Sequence, residues 1–545
     1  MKRLPLLTVP LPTPEEMRRW DETAHRQFGI PPLLLMENAA QAALLELKRH
    51  VCLTPDTKIL IFMGRGNNGG DGAALARLVQ DEGCTVLVYA LAPLHDMQGA
   101  AGRHVAMARA LGINILDGSH FNEPVLPLEW RNPHVIVDAI AGTGLRGTLR
   151  PNVQTLVSFI NRSRDASFVF SLDIPSGLCG LTGRPMPEAV RAHATVCFEA
   201  GKPGLYFPEA GEYIGSLAIR RVGIPIAVRG TVPPSWELLA PEHGTWPLPS
   251  PFRHKGDGGK VLIIGGSASM AGAPMLAALG SLRAGAGLVH AACPGGIAPA
   301  YDFPEIQAHR IGKSAVWQEK DAQTLLKLIE ALTPDALVIG PGLGRTPAVC
   351  EIVKAILEKK RRPPAVVDAD ALYCFRTEKG DPAYSGELSS LLPPGLLHKN
   401  DIITPHPGEM ARLLPPEACG SNTDTRAKTA WIQANRPEAL KALTAQCNAI
   451  VVLKGAGTLI GRKGMATVLC PTAVSSLAVG GSGDVLSGVC GALVAAGLAS
   501  TDAAKLGVYL HARAGELLMR VSPLGHTAGD IAHTVPAVWK ELCEA

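Results

Sequence analysis

Short apolar runs that close on glycine turns recur along the chain, and nothing else in the sequence constrains its fold as tightly. Lys58 to Met63 leads into Gly64, Val135 to Ile140 into Gly142 and Phe168 to Ile174 into Gly177, with Thr85 to Ala90 in the same series. A second series holds Val261 to Ile264, Ala336 to Ile339, Ala365 to Asp368, Ile402 to Thr404 and Ile450 to Leu453. Apolar runs of this kind, spaced by helix-length segments, predict mainly parallel sheets covered by helices. Between the two series Pro233, Pro234, Pro241, Pro247, Pro249 and Pro251 crowd together. Prolines at this density fit neither helix nor sheet interiors, so 227–250 is expected to be a stiff linker between an α/β domain over 1–226 and another over 251–545. The end, Asp502 to Ala545, reads as two helices broken at Pro523 and Gly525.

At 545 residues the chain exceeds what one hydrophobic core supports, which also argues for two domains. Hydrophobic residues at 47% against 18% charged exclude a disordered chain. A net charge of +4, with Lys359 to Arg362 as a short basic run, gives no footing for nucleic acid. The 12 cysteines include no CxxC pair, so a disulfide framework or zinc site is not expected and a reducing compartment is. Met1 to Trp20 breaks into prolines and charge before a signal-peptide core forms, and no apolar stretch spans a bilayer. The expectation is a cytoplasmic enzyme with small-molecule substrates, a homo-oligomer with neither membrane nor nucleic acid as partner.

The glycine turns carry chemistry. After the first strand, Gly64 to Gly72 reads as a loop opening a helix at Ala73, and Asn67, Asn68 and Asp71 add oxygen-bearing side chains sufficient for a ribose, an amide or a hard cation. Asp138 and Asp173 stand at later strand ends beside their own glycine turns. A lone Asp there is more often a cap or turn acceptor, but the repetition favours a ligand site at the carboxyl edge of a sheet. The second half repeats the pattern at Gly259 to Gly266, Gly272-Ala273-Pro274, Gly340 to Gly344, Thr404 to Glu409 and Lys454 to Thr458. Its sharpest element is Gly480 to Gly488, where small residues run into an apolar helix. Asp484 is there either a plain N-cap or the base for a hydroxyl being phosphorylated.

Leu35 to Ala39, Gly66 to Gly72, Val137 to Leu145 and Leu172 to Gly177 resemble, in order, the motifs of the NAD(P)H-hydrate epimerase family. The His-Lys-Gly, Gly-Pro-Gly-Leu-Gly, Thr-Pro-His-Pro-Gly-Glu, Lys-Gly-Ala-Gly-Thr and Gly-Ser-Gly-Asp segments of the second half resemble the NAD(P)H-hydrate dehydratases. The resemblance implies a Rossmann-like three-layer domain followed by a ribokinase-like α/β domain. It implies substrate contacts at Asn67, Asn68, Gly69, Gly70 and Asp71, and at Gly142, Thr143, Gly144, Leu145, Arg146, Gly147 and Thr148. It implies Asp173 as substrate contact and acid/base, and a potassium ion (K+) held by Asn68, Asp138 and Ser176. In the second domain it implies Lys454, Gly455, Ala456, Gly457, Thr458 and Gly483 for the adenine nucleotide, ADP with Mg2+. Ala273, Gly344, His406 and Asp484 are implied for the hydrated dinucleotide, Asp484 being catalytic. Arg65, Ala141 and Gly258 depart from the family's usual proline, phenylalanine and aromatic. The implied activity is epimerisation of hydrated NAD(P)H and ADP-dependent dehydration of the S form. The alternative is a ribokinase-like kinase of a vitamin alcohol fused to a nucleotide-binding regulatory domain.

Overall fold

A computed structural model describes residues 7–117, 126–145, 147–246, 250, 252–297, 304–375, 396–421 and 424–544. The chain divides into two compact units, Pro10–Glu237 and Leu238–Ala545, the described residues before Pro10 grouping with the second.

The first unit is built on seven parallel strands in the order Asn114–Asp117, Thr85–Ala90, Lys58–Met63, Val135–Ala139, Phe168–Leu172, Ala194–Phe198, Ser216–Arg220. Along Lys58–Met63, Ile59, Ile61 and Met63 join a buried cluster with Trp20, Ala40 and Val105, whereas Leu60 and Phe62 join another with Leu156 and Phe159. Helices Pro14–Phe28, Pro32–His50, Asn67–Asp81 and Gly99–Ala110 supply the first cluster and Pro151–Arg162 the second, giving three layers. A strand buried on both faces needs no polar alternation, which is why this run reads as continuously apolar. The chain leaves Lys58–Met63 toward Thr85–Ala90 on one side and returns to Val135–Ala139 on the other. At such a reversal of strand order, the carboxyl ends flank a ligand crevice.

The helix after the first strand starts earlier than the glycine-rich sequence suggests. It spans Asn67–Asp81, so Asn67 to Asp71 form its opening turns and not a loop. Close packing is the reason: a Cβ at Gly69 would lie 1.8 Å from the carbonyl oxygen of Gly64, a distance only glycine avoids.

The second sheet has eleven strands in the order Thr8–Pro10, Trp236–Leu239, Thr467–Leu469, Leu459–Gly461, Ile450–Leu453, Ile402–Ile403, Ala365–Val367, Ala336–Ile339, Lys260–Ile264, Leu288–Pro294, Ile306–Ile311. From Ile450–Leu453 to Ile306–Ile311 all pairings are parallel, and Leu459–Gly461 adds an antiparallel turn back. Strand order reverses between Lys260–Ile264 and Ala336–Ile339. The helices Ala273–Arg283, Ser482–Ala495, Ser500–Val521 and Ala528–Cys543 bury one core against this sheet. Part of 227–250, expected to be linker, is folded: Ala227–Thr231 is helical and Trp236–Leu239 is a strand. Trp236, Leu238 and Leu239 give it a buried side that proline density does not reveal. Among the described residues no helix is long and apolar enough to cross a membrane.

Candidate active sites

A cavity of ≈ 1060 Å³ in the first unit is lined by Asn67, Asn68, Asp71, Gly142, Thr143, Gly144, Leu145, Thr148 and Asp173, together with Asp21 and Lys202. Gly69, Gly70, Gly147, Asp138 and Ser176 do not line it, and Arg146 lies outside the described residues. Asp173 follows its strand in the left-handed conformation, φ 64°, a strained position for a residue with a Cβ. Its Oδ2 accepts the Thr143 N–H at 3.0 Å and its Oδ1 accepts the Lys202 ammonium at 2.8 Å. Burial pushes the Asp173 carboxyl up, but Lys202 and the Thr143 hydrogen bonds outweigh it and hold the group below its ordinary range. Lys202 is 1% exposed and also donates to Cys197 Sγ and to the Phe198 carbonyl, both at 3.1 Å. Sequence reading passes over Lys202; its signal is a cation four residues beyond the apolar run Ala194–Phe198, at the same sheet edge as Asp173.

Two more carboxyls share the cavity in a different state. Asp21 is exposed at the cavity mouth, and the atoms packed about it, then Asp173 and Glu199, push its carboxyl up against the pull of Lys202. Burial also lifts Asp71 well above its ordinary value, with Asp173 and then Asp21 adding. Asp138 is fully buried and accepts from the Ser171 hydroxyl at 2.9 Å, the Ser176 N–H at 2.8 Å and the Ser176 hydroxyl. Burial raises it, and these bonds offset part of the rise. Asn68 is 7% exposed, yet both atoms of its amide lack a hydrogen-bond partner among the described residues. A buried amide left unmade is costly, so this group is poised for a ligand.

In the second unit, Lys454 and Asp368 each follow a strand of the parallel sheet, and Lys454 Nζ bonds Asp368 Oδ1 at 2.7 Å with Glu409 Oε2 at 3.8 Å. Asp368 is 1% exposed and its Oδ2 has no partner among the described residues. His406 caps the helix Pro407–Leu413: its Nδ1 accepts the N–H groups of Gly408 and Glu409 at 3.0 and 3.4 Å, and Glu409 accepts the His406 N–H at 2.7 Å. The His406 side chain is 54% exposed, and partial desolvation and then Lys454 push its imidazole below the ordinary value; with Nδ1 accepting, Nε2 carries the proton of the neutral ring.

Asp484 is not the N-cap of its helix: that place belongs to Gly481, and Asp484 is the third residue of Ser482–Ala495. Burial and then Asp368 raise its carboxyl to about 7, Lys454 opposing. A Cβ at Gly483 would sit 3.0 Å from Lys454 Nζ and 3.8 Å from Asp368 Oδ2, which places the helix start against that ion pair. Its N–H groups and Lys454 form a cradle for an anion. Arg436 donates to the carbonyls of Leu453, Lys454 and Gly457, fixing the loop Lys454 to Thr458. On the facing turn the Gly344 N–H binds Asp370 at 2.9 Å, and Ala273 packs under Gly342. Sequence reading assigns no role to Asp368 or Arg436, which reach the site from separate elements.

Two sheets, one parallel and one mainly parallel, each with carboxylates, a lysine and a glycine-lined helix start at its carboxyl edge, define a two-unit α/β enzyme. Residues 33–204 match the family model described as YjeF-related protein N-terminus, and residues 261–537 that described as NAD(P)H-hydrate dehydratase. The chain is 35% identical to the bifunctional NAD(P)H-hydrate repair enzyme of Moorella thermoacetica, over 98% of this chain and 97% of that one. It is 33% identical to that of Escherichia coli, over 96% and 93%. A solved ADP/ATP-dependent NAD(P)H-hydrate dehydratase of Bacillus subtilis, co-crystallised with ATP/Mg2+, is 28% identical, with a TM-score of 0.42 over 55% of this chain and 95% of that one. The chain belongs to the family of bifunctional NAD(P)H-hydrate repair enzymes.

Proposed function

We propose that the first unit interconverts the R and S hydrates of NADH and NADPH, and that the second dehydrates the S form with consumption of ADP, giving NAD(P)H, AMP and phosphate. The observation that carries this reading is Asp484, a carboxyl raised to about 7 in the first turn of a helix set against Lys454. A carboxyl poised near neutrality can accept the proton of the ring hydroxyl as its oxygen attacks the terminal phosphoryl group. Phosphate then departs where hydroxide leaves poorly, and the dihydropyridine is restored. Lys454 and the N–H groups at Gly483 balance the phosphate charge, and Gly455, Ala456, Gly457 and Thr458 hold the rest of the nucleotide. Ala273, Gly344 and the neutral His406 receive the hydrated ring. Magnesium bound with ADP would offset negative charge on the phosphates, and Asp368, whose buried Oδ2 has no partner among the described residues, and Glu409 are the hard oxygen donors that would hold it.

In the first unit Asp173 serves as acid/base at the hydroxylated carbon, with Asn67, Asn68, Asp71 and Gly142 to Leu145 lining the substrate cavity. Asn68, Asp138 and Ser176 offer only oxygen and amide donors, and the unpartnered Asn68 amide supports a hard cation such as potassium, which supplies fixed positive charge there. Twelve cysteines, none of them in a disulfide among the described residues, support work in the reducing cytoplasm. The test is incubation with hydrated NADH and ADP, following dihydronicotinamide absorbance and phosphate together. Both are expected to rise in step; a stable phosphorylated product without recovered absorbance would make the second unit a kinase and overturn the reading.

A further inference from the structure

Of the five carboxyls that line the cavity of the first unit, Glu15 and Glu22 pair with Arg18, which leaves Asp21, Asp71 and Asp173 with one buried ammonium, and that ammonium is fully committed. Lys202 has three protons, and Asp173 Oδ1, Cys197 Sγ and the Phe198 carbonyl take them at 2.8, 3.1 and 3.1 Å. Among the described residues neither Asp21 nor Asp71 has an ion-pair partner, although both line the same cavity. Asp71 is 9% exposed and stands on the helix Asn67–Asp81, whereas Asp173 stands beyond the strand Phe168–Leu172, two strands from the one that feeds that helix. The two carboxyls therefore reach the one cavity from different elements, a helix start and a strand end. Like charges crowded in one desolvated space cannot all ionise, and the carboxyl without a cation keeps its proton.

We propose that Asp71 is a second catalytic residue of the epimerase site, the acid that works against the ionised Asp173. The inference rests on the epimerase reading and deepens it. The Asp71 carboxyl gives its proton to the hydroxyl of the hydrated ring; the carbon–oxygen bond breaks, water departs, and the ring nitrogen lone pair forms a carbon–nitrogen double bond. Water adds to the opposite face while Asp173 takes its proton, and transfer of that proton from Asp173 to Asp71 resets the pair. Atoms and charge balance with no further reactant. The groups facing Asp71 agree: Asp173 and Asp21 raise it and Lys202 lowers it, burial being the largest cause of its net rise.

The test uses the full chain without ADP, so that dehydration is silent, and follows the ratio of the two hydrates of NADH by chromatography against the spontaneous rate. Asp71→Asn is expected to slow interconversion 10²- to 10⁴-fold, the usual worth of a positioned acid. Asp71→Glu, which keeps a proton donor, is expected to recover part of it. Wild-type interconversion is expected to fall on the alkaline side as Asp71 loses its proton. With ADP present, Asp71→Asn is expected to dehydrate pure S hydrate at the wild-type rate, which shows that the second unit is folded, and to unfold no earlier than wild type in denaturant, which shows that the first is. Wild-type interconversion in Asp71→Asn, or equal loss in Asp71→Glu and Asp71→Asn, would overturn the proposal. Failure of the wild-type chain to interconvert the hydrates would instead overturn the epimerase reading itself.

Discussion

Burial holds the Asp484 carboxyl at about 7 in the folded protein against an ordinary 3.8, so ionising it costs the fold something that the unfolded chain does not bear. The sign follows from the raised value: what this group contributes to stability is complete below about pH 4 and is lost as pH rises through 7. Asp484→Asn is therefore expected to stabilise the protein at about pH 8 by on the order of 2 kcal/mol, with the gain vanishing toward pH 4, while it abolishes dehydration. Denaturant unfolding of both proteins at the two pH values checks it; a variant destabilised at pH 8 sinks the assignment. The same carboxyl as base sets an acid limb near 7 in the dehydration rate. In the first unit Lys202 is what keeps Asp173 ionised despite its burial. Lys202→Met removes the opposing charge and leaves the desolvation, so the acid limb of epimerisation is expected to move to higher pH. An unchanged profile in the variant counts against Asp173 as the base.

Asp484 is aimed by a pair of helices whose contact tolerates no added atom. A Cβ at Gly488 would lie 1.8 Å from the carbonyl oxygen of Ala277, one at Gly280 would lie 2.5 Å from that of Val485, and Ser281 Oγ bonds the Gly488 carbonyl at 2.9 Å. Gly488→Ala must push Ser482–Ala495 off Ala273–Arg283, and with it both Asp484 and Ala273. The expected cost is about 1–3 kcal/mol and at least a tenfold loss of dehydration, with epimerisation unchanged. Thermal unfolding and the two separate assays decide it. The apolar sequence of that helix announces its burial, as do Lys58–Met63, Thr85–Ala90, Ala336–Ile339 and Ile450–Leu453, legible end to end because the helices cover both their faces. Ile306–Ile311 escapes such reading: it lies at a sheet edge, and Gln307, Ala308 and Arg310 are exposed, so its run is polar. Asp138, Asp173 and Asp484 are legible because each adjoins a glycine turn next to an apolar run. Lys202, Asp21 and Asp368 are not, because only the folded sheet gathers them from separate segments.

Each unit has its own sheet and its own buried clusters. On the proposed reading Asp173 and Asp484 act in separate units, so an S hydrate released by the first needs none of its groups to react in the second. Covalent fusion on this view fixes the ratio of the two activities and not their chemistry. A mixture of Asp173→Asn protein, which retains dehydration, and Asp484→Ala protein, which retains epimerisation, is therefore expected to convert both hydrates of NADH completely with ADP. Asp173→Asn alone is expected to leave the R form behind, apart from its spontaneous epimerisation. Full conversion by the mixture, at a rate that scales with the Asp484→Ala protein when epimerisation limits, is the outcome that independent sites require. Conversion of the R form no faster in the mixture than in Asp173→Asn alone would mean that the hydrate passes between sites of one chain without release, and that the two units act as one catalyst.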